Sequence, residues 1–266
     1  MPEGDSILRI ARALGPRLIG QTIERATTQG LSRERVAGKR IVSIEPHGKH
    51  LVIELEDGTH VRAHLGINGR QRTYGRAEGE QILARYSPGR ISLALVTAEI
   101  VALWINAKTI EIADRRAPRH GMAIAELGPD VLADGFDPDL AAERAAAHGT
   151  RTIADVLLDQ RVAAGIGNIW KCESLFACGV DPRRRVKELD RETLAGLYRA
   201  ARTLMLENLD ARRPRADVVF RVYSRTGHPC GTCATPIACY QLGDQPRWTW
   251  SCPTCQPPGA LDGACR

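Results

Sequence analysis

The sequence predicts an α+β chain of several domains: a helix-capped β-domain, a helical domain behind a hinge, and a zinc-binding hairpin. Three observations carry this. Short alternating apolar segments fill residues 22–113, separated by Gly, Pro or Asp-Gly turns. Helical periodicity replaces them from residue 139 to 209. Near the end stand Cys230-x2-Cys233 and Cys252-x2-Cys255, with 18 residues between the pairs. With 266 residues the chain can build two cores.

Taken in order, residues 5–14 place Ile7, Leu8, Ile10, Ala11 and Leu14 on one helical face, with Gly4 or Asp5 near the N-cap. Strands are expected at 22–28, 41–45, 50–55, 60–65, 81–86, 91–97, 100–105 and 109–113, in a sandwich or barrel. The breaker-rich stretch Gly128 to Pro138 reads as a linker. Helices are expected at 139–147, 152–159, 167–178 and 190–209. The expected division is a β-domain over 1–125, a hinge over 126–138, a helical domain over 139–215, a hairpin over 216–256 and a frayed tail over 257–266.

Composition limits the function. No apolar run approaches the ~20 residues of a membrane-spanning helix, which excludes such a span. The acidic start Met1-Pro2-Glu3-Gly4-Asp5 is not that of a signal peptide. The net charge is +6, and the 37 basic residues are almost all arginine. Arginine suits phosphate through its planar donor fork, but GC-rich codon usage produces the same bias. Nothing resembles a phosphate-binding loop or a dinucleotide turn, so no organic cofactor is expected.

The four paired cysteines have the spacing of a closed tetrahedral zinc site, one ion per chain, structural because no position is left for water. Cys239 and Cys265 are the rival ligands, and Cys172 and Cys178 read as core. A disulfide framework is not expected.

Two further features carry chemistry. Removal of Met1 would expose Pro2 as a secondary amine with a pKa near 8. Such an amine attacks an aldehyde carbon to give an iminium that keeps its charge and draws electrons; Glu3 is placed to move the proton. The second feature is Ala163-Ala-Gly-Ile-Gly167 before a helix starting at Asn168. Its glycines allow close approach, and the helix start offers N–H groups to an anion.

Together, Pro2-Glu3-Gly4, the stretch Gln160 to Asn168 and the cysteine hairpin resemble the formamidopyrimidine-DNA glycosylase and endonuclease VIII family, in the right order over nearly the whole chain. The resemblance implies a β-sandwich, a hinge and a helix–two-turn–helix domain with a zinc finger. It also implies a monomeric, bacterial, cytoplasmic enzyme that works on damaged double-stranded DNA, with single-stranded or bubble DNA as alternatives. By the same resemblance Pro2 is the nucleophile at C1′, Glu3 the proton donor and acceptor, and Lys49 a proton donor beside the abasic phosphates. Asn168 and Arg247 hold phosphates, and Ile67 is the wedge that fills the gap left by the flipped nucleotide.

The sequence departs from the purine-repair branch in three places. Ser6 stands where a second acid is usual, the stretch Asn106 to Ile112 lacks an Arg-x-Phe loop, and Arg212 to Val222 is too short for a capping loop. These point to oxidised pyrimidines, although Glu126 replaces an arginine common in the endonuclease VIII branch. A reduced pocket also admits bulky or alkylated adducts. The competing readings are a catalytically silent damage-binding module and a zinc-ribbon protein unrelated to DNA.

Overall fold

The computed structural model describes residues 2–28, 35–114, 124–211 and 219–258. Two compact units divide at Ala125/Glu126.

Unit 1 opens with α1 (Gly4–Leu18), whose buried face is Ile7, Ala11, Leu14 and Leu18. The strands are β1 (Arg25–Thr28), β2 (Ile41–His47), β3 (His50–Leu55), β4 (Thr59–His64), β5 (Arg70–Gly75), β6 (Ile91–Val96), β7 (Ile100–Ile105) and β8 (Thr109–Asp114), with α2 (Arg76–Arg85) between β5 and β6. They form two antiparallel four-stranded sheets, ordered β1-β6-β7-β5 and β2-β3-β4-β8. One apolar cluster joins α1 to the inner faces of both sheets through Leu14, Ile41, Ile53, Val61, Leu93 and Trp104. This is the sandwich that was expected.

Two segments differ from the sequence reading. The strand expected at 81–86 is the end of α2, whose Ile82 and Leu83, with Tyr86 just beyond, cover a second cluster of Ala94, Val96, Val101 and Leu103. The apparent alternation of Ile82, Ala84 and Tyr86 belongs to one half-buried helix. This cover explains why β6 and β7 are buried at every position: one face meets the main core, the other meets α2. The strand β5 was not expected, because Arg70-Gln-Arg-Thr-Tyr-Gly75 has no apolar alternation. It lies at a sheet edge, where such a composition is tolerated.

Unit 2 contains α3 (Pro138–Ala146), α4 (Ile153–Leu158), α5 (Asn168–Ala177), α6 (Arg191–Asp210) and the hairpin β9 (Ala238–Leu242) and β10 (Arg247–Ser251). The helices begin where side-chain caps permit. Asp137 accepts from Asp139 N, Thr152 from Asp155 N and Asp190 from Thr193 N. The breaker-rich segment before α3 is bonded into this unit: Val131 N donates to Ala164 O, Ala164 N to Pro129 O, and Val131 is fully buried. Glu126 pairs with Arg161 at 3.2 Å.

Candidate active site and nucleic-acid interface

The start of α1 positions the first candidates. The Glu3 carbonyl accepts from Ser6 N and Ile7 N at 2.9 and 3.1 Å, so Glu3 is the N-cap of the helix. Its side chain is fully buried, as is that of Asp5, while Pro2 is half-buried. Two carboxyl groups at a helix N-terminus lie where the helix dipole favours negative charge. From sequence Asp5 was only a candidate for the N-cap; the fold gives that position to Glu3 and shows Asp5 buried in the first turn.

The second group gathers at one end of the sheet β2-β3-β4-β8. The register rows are His47 with His50, His50 with His64, and His64 with Thr109. Three turns therefore share this end: Gly48-Lys49, Gly66 to Gly69, and Asn106 to Lys108. Lys49 occupies the tip of the two-residue β2–β3 turn and is half-buried. The β7–β8 connection is short, as its sequence indicated. Ile67 is 63% exposed, which excludes a core strand residue at that position. Its turn is tight, because Gly69 N donates to Leu65 O at 3.1 Å and a Cβ at Gly69 would stand 2.1 Å from that oxygen.

Sequence reasoning missed the histidines beside Lys49. The rings of His50 and His64 lie 4.7 Å apart. Arg62 donates to His50 Nδ1 at 3.3 Å and pairs with Glu111 at 2.5 Å. Burial first, then the charges of His64, Arg62, His47 and Lys49, holds His50 down at about 3. Burial, with Lys108, Lys49 and Arg62 behind it, holds His64 down at about 4. Both rings are thus neutral near pH 7, beside Arg62, Lys49 and Lys108, with the Glu111 carboxylate paired to Arg62.

In unit 2 the glycine-rich turn is fastened from within. Gly165, at φ +109°, donates its N–H to Gln160 Oε1 at 3.0 Å, and Gln160 Nε2 reaches the carbonyls of Leu158 and Ile166. This fixes Asn168 at the start of α5. Asn168 Nδ2 donates to the Trp248 carbonyl at 2.8 Å, and the fully buried Lys171 ammonium donates to Asn168 Oδ1 and Thr249 Oγ1, each at 2.8 Å. Asn168 is therefore tied to the strand that carries Arg247, whose side chain is exposed. The buried Glu173 carboxylate accepts from the N–H groups of Arg221, Val222 and Tyr223 at 2.8, 3.0 and 2.8 Å. Neither Lys171 nor Glu173 was singled out from sequence, since charges inside an otherwise apolar helix give no sign of partners 48–78 residues away.

The sulfurs of Cys230, Cys233, Cys252 and Cys255 lie within 4.8 Å of one another. Their separations are 3.4 Å for Cys233–Cys252, 3.5 Å for Cys255–Cys233 and 3.8 Å for Cys230–Cys255. Four sulfurs at ~2.3 Å from one zinc would be ~3.8 Å apart, so the thiols fit that ion. Hydrogen bonds from Thr235 pull Cys233 down to about 6, while burial pushes Cys252 and Cys255 up. A bound divalent cation favours the thiolate form of all four. Gln256, also missed, closes the knuckle: it accepts from Cys252 N at 2.9 Å and donates to Val180 O at 2.8 Å. Cys239 is half-buried in β9 and outside the cluster. Cys172 and Cys178 are buried as expected, and Cys172 is free; Cys178 is disulfide-bonded, although no disulfide framework was expected. Cys265, the tail from 259 and most of the shortened loop after Arg212 lie outside the described residues.

A helix-capped sandwich, a glycine-rich turn leading into α5 and a four-thiol hairpin together define the helix–two-turn–helix DNA glycosylase class. Residues 1–117 match the model of the formamidopyrimidine-DNA glycosylase N-terminal domain, and residues 127–215 that of its H2TH domain. The chain is 34% identical to "Probable endonuclease 8 2" of Streptomyces coelicolor, over 96% of this chain and 94% of that one. It is 33% identical to "DNA-(apurinic or apyrimidinic site) lyase Nei2" of Mycolicibacterium smegmatis, over 96% and 99%. The solved MutM (Fpg) protein of Thermus thermophilus superposes with a TM-score of 0.81 at 27% identity, covering 97% of this chain and all of the other. The chain belongs to the formamidopyrimidine-DNA glycosylase and endonuclease VIII family.

Proposed function

We propose that this chain is a bifunctional DNA glycosylase and abasic-site lyase of base excision repair. Its substrate is damaged double-stranded DNA, with oxidised pyrimidines as the main lesions. One observation carries the reading: in a chain of this family, Pro2 stands next to a fully buried Glu3 at the start of α1. The relatives named as endonuclease 8 and as an abasic-site lyase support it.

After loss of Met1, the Pro2 nitrogen lone pair forms a bond to C1′ of the flipped nucleotide. The glycosidic bond breaks, and its electron pair leaves with the base, which takes up a proton. Glu3 takes the proton that the Pro2 nitrogen loses after bonding to C1′ and donates it to O4′ as the C1′–O4′ bond opens, leaving an iminium between Pro2 and C1′. The iminium acidifies C2′. Loss of the C2′ proton and breakage of the C3′–O bond then release the 3′ phosphate. Lys49 serves as proton donor in this elimination, and Ile67 fills the vacated stack. Asn168 and Arg247 hold phosphates on the unit 2 side. Cys230, Cys233, Cys252 and Cys255 would hold a zinc ion, which would supply no chemical step and would tie the knuckle that supports β10.

Incubation of the zinc-loaded chain with a duplex carrying one oxidised pyrimidine, with borohydride present, tests the reading. A reduced protein–DNA adduct that maps to the N-terminal peptide is the expected result. Binding without adduct or strand cleavage would instead establish a silent damage-binding module.

A further inference from the structure

Lys171 is 1% exposed on α5, and its sequence neighbours Trp170 and Cys172 are buried apolar side chains. Replacing a buried charge by an apolar group of similar volume is often neutral or stabilising. A lysine in this place therefore serves something other than packing, and its partners show what. Its ammonium donates to Asn168 Oδ1 and to Thr249 Oγ1, each at 2.8 Å. Thr249 is itself fully buried.

The first bond fixes which way round the Asn168 amide stands. An ammonium only donates, so the amide oxygen must face Lys171. The Trp248 carbonyl only accepts, so the amide nitrogen must face β10, where it donates at 2.8 Å. The two partners agree. A flipped amide would set donor against donor at Lys171 and acceptor against acceptor at Trp248. An amide nitrogen carries two hydrogens, and the bond to Trp248 engages one. The other is left to an anion at the start of α5.

The second bond reaches Arg247. The Thr249 hydroxyl accepts from Lys171, which leaves its own proton to be donated, and it donates to the Arg247 carbonyl at 3.1 Å. Side chains alternate along a strand, so Arg247 and Thr249 leave β10 on the same face, the one that meets Lys171. We infer that Lys171 is a positioning residue for both phosphate contacts of unit 2. It turns the Asn168 amide so that an N–H, and not an oxygen, meets the phosphate. Through Thr249 it holds the backbone from which Arg247 reaches out. This rests on the phosphate roles proposed above for Asn168 and Arg247 and adds the residue that sets them.

The test measures affinity of the full zinc-loaded chain for a duplex with one non-cleavable abasic analogue. The variants are Lys171→Met, Lys171→Arg, Asn168→Ala and the double variant Asn168→Ala with Lys171→Met, each with its zinc content confirmed. Loss of one hydrogen bond to a charged group is worth about tenfold. Lys171→Met should therefore weaken binding about tenfold, and Lys171→Arg, which restores donors, should recover most of it. In the Asn168→Ala background no amide remains to be oriented, so the same change should weaken binding only about twofold. A side chain that merely supported the fold would cost the same in both backgrounds. Should Lys171→Met lose zinc, Thr249→Val carries the test: it should weaken binding in the wild type and not in Arg247→Ala. Wild-type affinity in Lys171→Met, equal losses in both backgrounds, or wild-type affinity in Thr249→Val would overturn the positioning role and leave the glycosylase reading intact. A wild type that binds this duplex but never cuts an abasic site would overturn the glycosylase reading and leave the positioning role to the affinities.

Discussion

The sandwich and the cysteine hairpin both carry candidate site residues, yet they are held by opposite means. The turns of unit 1 stand on apolar packing: Leu51, Ile53, Val61, Ala63 and Leu65 anchor the strands that end in Lys49 and Ile67. The hairpin has a small apolar cluster of Cys172, Phe176, Val222, Ile237 and its own cysteines. Buried polar groups do the rest: Lys171 holds Thr249, Glu173 holds residues 221–223, and Gln256 holds the second knuckle. Apolar support is shared among many contacts and weakens by degrees. Polar support is concentrated in a few groups, and losing one leaves others buried without a partner.

The largest expected effect follows from that concentration. Cys252→Ser should release the zinc and unfold the hairpin, since metal binding supplies its folding free energy. DNA binding and cleavage should fall together while the sandwich keeps its structure. Zinc content and amide hydrogen exchange, read separately for the two units, would show this. Exchange that rises equally in both would mean that the supports are not separate.

Next comes Glu3→Gln, where chemistry should part from stability. General acid catalysis is worth ~10²–10⁴-fold, so release of a damaged base should drop by that factor. Cleavage at a preformed abasic site should persist in part. Equal loss on both substrates would mean that Glu3 supports folding or both steps alike.

Glu173→Gln sharpens the contrast from the hairpin side. A carboxylate that accepts three N–H groups is replaced by an amide with one acceptor oxygen and two donors. Hydrogen bonds to charged groups contribute ~1.5–3 kcal/mol each, so a loss of about 3 kcal/mol in unit 2 stability is expected. Thermal denaturation of the zinc-loaded chain measures it, and a midpoint unchanged from wild type would show that the 221–223 segment has other support.

The smallest effect lies in the sandwich. His50 and His64 sit at about 3 and about 4 in the folded chain, below the ordinary histidine value of 6.5. Below pH 6.5 the unfolded chain binds these protons and the folded chain does not. The stability from the neutral pair is therefore complete above pH 6.5 and is lost progressively toward pH 3. His50→Gln should flatten the stability–pH curve of unit 1 over that window. A slope equal to wild type would mean that other groups titrate there.

The same contrast decides how much the sequence could reveal. Period-3.6 and period-2 patterns come from apolar packing, so α1, α3 to α6 and most sandwich strands were legible within a few residues. The strand β5 was not, because an edge strand of Arg, Gln and Thr buries too little to show a pattern. The helix α2 was misread because its few apolar residues happen to alternate. The cysteine pairs stood out by spacing and Pro2-Glu3 by resemblance. Lys171, Glu173, Gln256 and the His50–His64 pair act through partners distant in sequence, and no local pattern announces such contacts.

The central claim is that the Pro2 amine carries the chemistry while binding to DNA rests on phosphate contacts made elsewhere. A chain that retains Met1 or an uncleaved N-terminal tag tests it most directly, on a duplex with one abasic site. Phosphate contacts supply most non-specific affinity, so binding should stay within a fewfold of the unblocked chain. Strand cleavage and the borohydride adduct should both disappear. A blocked chain that still cleaves and traps at the normal rate would contradict the account.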